Sequence, residues 1–157
     1  MKTYELEIYV NGERLETRVR AKETLLQALR ERLGVTEVKN GCAKGDCGAC
    51  TVLLEGMPVN ACLTLALQAK GKGVTTIRGL GNEDSPHPLQ RSFVEKGAIQ
   101  CGFCTPGQIL SAKALLEKNP NPTRWEIREA ISGNLCRCTG YNKIVEAIEA
   151  ASAAIQG

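Results

Sequence analysis

The sequence holds one histidine, one tryptophan, two phenylalanines and three tyrosines in 157 residues. Neither an imidazole-rich site nor an aromatic-rich core is available to it. No apolar run approaches the roughly 20 residues that a helix needs to cross a bilayer, and Met1-Lys2-Thr3 opens no secretory leader. The expected setting is the cytoplasm, with no membrane contact. Lys70-Gly-Lys-Gly73 and Gly79-Leu-Gly81 lack the spacing of a dinucleotide turn or a phosphate loop, so no flavin or nicotinamide site is expected within the chain. Lysine and arginine form no run interleaved with aromatics, and a net charge of +3 is a weak argument for nucleic acid.

Secondary-structure signals fall into two unlike halves. Tyr4, Leu6, Ile8 and Val10 alternate with polar residues, Asn11-Gly12 marks a hairpin, and Leu15, Thr17 and Val19 alternate on the return. The spacing of Leu25, Leu26, Leu29 and Leu33 predicts a helix over 24–33 closed by Gly34. Short strands are expected at 51–54, 57–59 and 74–77. This is a small mixed-sheet α+β unit. After the polar, proline-punctuated stretch 81–88, the periodicity is helical throughout: 89–96, from Pro106 to Asn119, from the capping box Thr123-x-x-Glu126 to Gly133, and 142–155. The helical half carries a weak repeat of glycine, close cysteine pair, threonine and helix. A pseudo-twofold pairing of its copies would bring Cys101 and Cys104 to Cys136 and Cys138. Units of about 75 residues bury little apolar surface and need staples.

Eight cysteines in two groups of four offer them. In a reducing compartment four disulfides are disfavoured. The first group reads Cys42-x4-Cys47-x2-Cys50-x11-Cys62, whose first three members match plant-type [2Fe–2S] spacing, with the fourth following after an interval. Gly41, Gly45 and Gly48, with the small Ala43 and Ala49, suit a loop that must turn its N–H groups inward towards charged sulfur. The second group reads Cys101-x2-Cys104-x31-Cys136-x-Cys138. Its one-residue gap is tighter than the roughly two to four residues usual between zinc ligands, and a lone histidine excludes Rieske-type ligation. Ligand count alone leaves zinc, [4Fe–4S] and a Cys101–Cys104 redox dithiol open, although the dithiol lacks a βαβ setting. The reading is one iron–sulfur cluster per group and single-electron chemistry. His87, between two prolines, reads as a solvated loop residue, and Arg137, between two thiols, as electrostatic balance.

The stretches GCAKGDCGACTV, QCGFCTPGQIL and GNLCRCTGY together resemble the small iron–sulfur subunits of the molybdenum hydroxylases, the family that includes xanthine dehydrogenase, aldehyde oxidoreductase, carbon monoxide dehydrogenase and nicotinate dehydrogenase. The resemblance runs over nearly the whole chain and all eight cysteines. It implies a β-grasp, plant-ferredoxin-like domain at 1–80, a linker at 81–88 and an all-α, pseudo-twofold four-helix domain at 89–157, with one [2Fe–2S] cluster in each domain. It further implies that Cys138 and Gln100 meet a molybdenum–pterin cofactor held by a large subunit. Two electrons released at molybdenum would leave one at a time, towards a medium FAD subunit or another acceptor. No residue of this chain would itself be catalytic. With Gly157 the last residue, the molybdenum and flavin parts are expected as separate polypeptides of a heterotrimer. The substrate would be a purine, N-heterocycle or aldehyde. A free-standing two-cluster ferredoxin and a zinc-stapled interaction module are the alternatives from other classes.

Overall fold

A computed structural model describes residues 2–157. Strands β1 (Thr3–Val10) and β2 (Glu13–Arg20) form the antiparallel hairpin, paired from Thr3 opposite Arg20 to Val10 opposite Glu13. Strands β3 (Thr51–Leu54) and β4 (Met57–Asn60) make a second hairpin. Between them enters β5 (Gly73–Thr75), parallel to β1 and antiparallel to β3, which gives a mixed sheet in the order β2-β1-β5-β3-β4. The expected strand at 74–77 stops early. Asn11 reaches across with both amide atoms, its Oδ1 accepting from Thr76 N–H at 2.8 Å and its Nδ2 donating to Thr76 Oγ1 at 2.9 Å. The chain then coils into a 3-10 turn at Ile77–Gly79.

The helix expected over 24–33 also differs from a regular one. Thr24 and Gln27 form a reciprocal capping box, and α1 proper is Leu25–Gln27. The chain then widens into a π-helical turn at Ala28–Arg32, with Leu33 N–H donating to Ala28 O. Gly34, at φ +69°, reverses the chain so that Val35 N–H meets Leu29 O at 2.8 Å. The wider turn lets Leu33 and Val35 pack on the core already holding Leu25, Leu26 and Leu29. That core is completed by Leu6, Ile8, Val19, Val52 and Val74 from the sheet.

Helices α2 (Pro88–Glu95), α3 (Thr105–Lys118), α4 (Arg124–Ala130) and α5 (Asn142–Gln156) enclose a second core around Phe93, Ile109, Ile127, Ile144 and Ile148. Thr123 and Glu126 form the expected capping box, but α4 ends at Ala130, with Ile131 as its C-cap, and Gly133 lies beyond it in a turn without left-handed geometry. His87 is not a solvated loop residue. Its Nδ1 accepts from Leu89 N–H at 3.2 Å while its own N–H donates to Gln90 Oε1 at 2.8 Å, so it caps α2.

Helix α3 is buried on two sides. Ile109, Ala112 and Leu116 face the bundle core, while Leu110 and Ala114 pack against Leu53 of the sheet. A helix enclosed on both flanks needs no clean apolar stripe. Among the described residues no helix is long and apolar enough to cross a membrane.

Candidate metal centres

Cys42, Cys47 and Cys50 lie on the loop between α1 and β3, and Cys62 follows β4. Cys101 and Cys104 precede α3, and Cys136 and Cys138 precede α5. All eight are free thiols. Their sulfurs come together in twos: Cys42 with Cys47, Cys50 with Cys62, Cys104 with Cys136, and Cys101 with Cys138 at 3.6 Å. In the helical half, each pair therefore takes one member from each copy of the repeat. Among the described residues no three His, Cys, Asp or Glu side chains are placed around a single ion. Twos suit a binuclear group, in which each iron takes two thiolates, better than a tetrahedral zinc.

In each site one pair faces inward and one outward. Cys50 and Cys62 are 3% and 7% exposed, whereas Cys42 and Cys47 are half-buried. Cys104 and Cys136 are half-buried, whereas Cys101 and Cys138 are exposed. The first loop aims N–H groups at sulfur: those of Lys44, Asp46 and Cys47 approach Cys42 Sγ at 3.5, 3.3 and 3.4 Å. The N–H groups of Lys44 and Cys47 hold the Cys42 thiol down at about 6, where a thiolate forms readily. Burial pushes the Cys50 thiol up to about 11 and Cys104 up to about 12. Those two inner sulfurs need a cation to be held as thiolates. The cradle is tight, since a Cβ on Gly41 would lie 2.7 Å from Cys47 Sγ. Free thiols in pairs, N–H groups on sulfur and glycine at the close approaches all fit a bound iron–sulfur group.

In the second site Cys136 Sγ receives Thr139 N–H at 3.4 Å and lies 3.2 Å from Thr139 Oγ1. Burial raises the Cys136 thiol, but the hydrogen bonds it receives, from the Thr139 hydroxyl and N–H and then from Cys138 and Cys104, together outweigh burial and leave the thiol below its ordinary value. Cys136 N–H donates to Tyr141 Oη at 2.9 Å, and Tyr141 holds a left-handed backbone at φ +69°. Gln100 Nε2 donates to Cys138 O at 3.0 Å, so the two residues expected at a pterin sit together on an exposed corner. Arg137, between the two thiols, is exposed.

The two loops touch. Leu135 N–H donates to Cys47 O at 2.9 Å, joining the residue before Cys136 to a thiol residue of the first loop. Behind that bond sits Asn134, 4% exposed. Its Nδ2 donates to Gly48 O at 3.0 Å and Thr51 Oγ1 at 3.2 Å, and its Oδ1 accepts from Ser111 Oγ at 2.7 Å. Gln108 Nε2 donates to Asn134 O at 2.8 Å. A Cβ on Gly107 would lie 2.5 Å from Gly48 O. Sequence reasoning missed this joint. The available signal was polar or small residues, Gln108, Ser111 and Gly107, interrupting an apolar helix, with an asparagine two places before a thiol.

Residues 8–75 match the 2Fe-2S iron-sulfur cluster binding domain and residues 76–149 the [2Fe-2S] binding domain. Fold and site together thus define a protein with two [2Fe–2S]-binding domains. The chain is 51% identical to the nicotinate dehydrogenase small FeS subunit of Eubacterium barkeri over 91% of each chain. It is 50% identical to the nicotine 6-hydroxylase small subunit of Paenarthrobacter nicotinovorans, over 92% of this chain and 87% of that one. Quinoline 2-oxidoreductase from Pseudomonas putida 86 contains a chain that superposes with a TM-score of 0.92 at 44% identity, covering 100% of this chain and 99% of that one. The chain belongs to the small iron–sulfur subunits of the molybdenum hydroxylase family of oxidoreductases.

Proposed function

We propose that this chain is the electron-transfer subunit of a multi-subunit molybdenum hydroxylase, seated between a large molybdenum–pterin subunit and a flavin subunit or other acceptor. The [2Fe–2S] groups, when bound, supply one-electron storage. Cys42, Cys47, Cys50 and Cys62 would hold one of them, and Cys101, Cys104, Cys136 and Cys138 the other. The division into 1–80, 81–88 and 89–157 is supported by two separate apolar cores, one for each site. The cytoplasm, where thiols stay reduced, suits eight free cysteines.

The observation that carries the reading is the Leu135 N–H bond to Cys47 O. Electronic coupling decays far more steeply across a gap than along bonds, and this contact closes the space between the two thiol loops. The chain needs no moving part to connect its sites. The exposed corner of Gln100, Cys101 and Cys138 is the side we assign to the pterin, because its amide and sulfur groups lie open to a partner. The half-buried pair Cys42 and Cys47 faces the acceptor. The relatives named for nicotinate, nicotine and quinoline support an N-heterocycle as substrate of the assembled enzyme.

The test is purification from the native source, with iron, acid-labile sulfide, zinc and molybdenum measured on the complex. A large molybdenum-containing subunit should accompany this chain, with two [2Fe–2S] groups in it. A coloured monomer without a molybdenum partner would replace the proposal with a free-standing ferredoxin. A colourless protein with zinc in the second site would remove the electron route altogether.

A further inference from the structure

We propose that Thr139 tunes the reduction potential of the group held by the second set of thiols, by donating its hydroxyl hydrogen to Cys136 Sγ. The inference rests on the reading that Cys101, Cys104, Cys136 and Cys138 hold a [2Fe–2S] group. Thr139 Oγ1 lies 3.2 Å from Cys136 Sγ, and it also accepts from Tyr141 N–H at 3.2 Å. The ligand sulfur settles the direction of the first bond. An iron-bound cysteine sulfur has no hydrogen to give, and one lone pair of the hydroxyl is already turned to Tyr141, so the hydroxyl hydrogen points at sulfur. Tyr141 in turn takes Cys136 N–H on its own hydroxyl, at 2.9 Å, which ties the Thr139–Tyr141 turn to the thiol it serves. Residues 136–141 thus close a loop of hydrogen bonds around one sulfur.

The repeat supplies an internal contrast. Thr105 follows Cys104 as Thr139 follows Cys138, yet among the described residues its hydroxyl makes no hydrogen bond to a cysteine sulfur. The tuning residue is therefore found in one copy only. A hydrogen bond to a ligand sulfur favours the more electron-rich, reduced state, so it raises the potential. Its removal should make the second site harder to reduce and leave the first untouched. The bond is present in both oxidation states, so only its strengthening on reduction counts, and the ratio of oxidised to reduced protein at fixed potential should change by up to about tenfold, the worth of a whole charge-assisted bond. For a one-electron couple that is up to about 59 mV.

The test is a dithionite titration of the purified complex, followed by EPR so that the two sites are read separately. Thr139→Ser keeps the hydroxyl and should titrate like the native protein. Thr139→Ala and Thr139→Val lack it and should shift the second site to lower potential by the same amount, with the first site unmoved. If Thr139→Val loses iron from the second site, the Ser and Ala variants, which differ by one oxygen, decide the matter. Equal midpoints in Ser and Ala at full iron content would overturn the proposal. A native protein holding only the first [2Fe–2S] group would instead overturn the ligand reading beneath it, and the inference with it.

Discussion

Ligand thiols apart, the donors aimed at Cys42 Sγ are main-chain N–H groups, from Lys44, Asp46 and Cys47, whereas around Cys136 a threonine hydroxyl joins such groups. The first arrangement requires an irregular backbone, with Ala43 at φ +54° and Gly45 and Gly48 also left-handed. A non-glycine residue held there costs about 1 kcal/mol or more, and the surrounding loop must supply it. The second arrangement needs one side chain and a single left-handed residue, Tyr141. The first site's environment is thus built into the path of the chain, where exchanging one side chain for another leaves the N–H donors in place unless the newcomer is proline. The second site's environment can be changed one atom at a time. Substitutions in the two loops should accordingly fail in different ways.

The largest effect is expected at Gly48. Its φ is +68°, and a Cβ there would fall onto the Gly133 carbonyl oxygen and lie 2.7 Å from Asn134 Nδ2. Gly48→Ala should cost about 3 kcal/mol, from backbone strain together with overpacking. The matched control is Gly133→Ala in the facing loop, where a Cβ meets nothing within 4 Å and φ is not left-handed, so stability should barely change. Denaturant midpoints of the two variants at equal iron content measure the contrast. Equal midpoints would mean that the loops do not touch.

Next in size is Asn134→Ala. It strips the donor from Gly48 O and Thr51 Oγ1 and leaves the Ser111 hydroxyl without its acceptor in a buried site. The loss should be about 2 kcal/mol. Hydrogen exchange at Leu135 N–H should quicken, because that N–H bonds to Cys47 O directly beside the removed amide. Unchanged protection at Leu135 would show that the joint is held by α3 packing on Leu53 rather than by the asparagine.

Much of this was legible in the sequence. Alternation from Tyr4 to Val10, the Asn11-Gly12 turn, the capping box at Thr123 and the cysteine spacings are local signals, and each has a local structural consequence. What escaped depends on contacts across long sequence separations. The early end of β5 is set by Asn11, which reaches Thr76 from 65 residues away. Asn134 meets Gly48 across 86 residues. The widened turn at Ala28–Arg32 answers to the core it packs on, since Leu25 to Leu33 are spaced for an ordinary helix. Asn134 and Thr139 were in view as members of a cysteine-rich stretch. Their partners were not, and a polar residue's role lies in its partners.

The smallest effect separates the two halves by pH. His87 caps α2 through Nδ1, which can accept from Leu89 N–H only while it is unprotonated. Burial and then Lys113 on α3 hold its pKa below the ordinary 6.5, with Glu117 opposing. A depressed histidine contributes stability that is full above the unfolded value and is lost as pH falls from 6.5 towards the folded one. In the sheet half the buried carboxylate is Glu23, lowered from 4.5 first by the Arg32 guanidinium, with Nε 2.8 Å away, and opposed by burial. Its contribution is present above 4.5 and is lost only as pH falls through its still lower folded value. With the thiols bound to iron and so out of the titration, between pH 6.5 and 4.5 the bundle should therefore loosen while Glu23 leaves the sheet half unchanged. A cap is worth about 1 kcal/mol, so hydrogen-exchange protection over 88–95, corrected for intrinsic rates, should fall about fivefold. His87→Asn supplies a cap that does not titrate and should hold protection constant over the same range. The same decline in that variant would place the acid sensitivity of the bundle elsewhere than in the cap of α2.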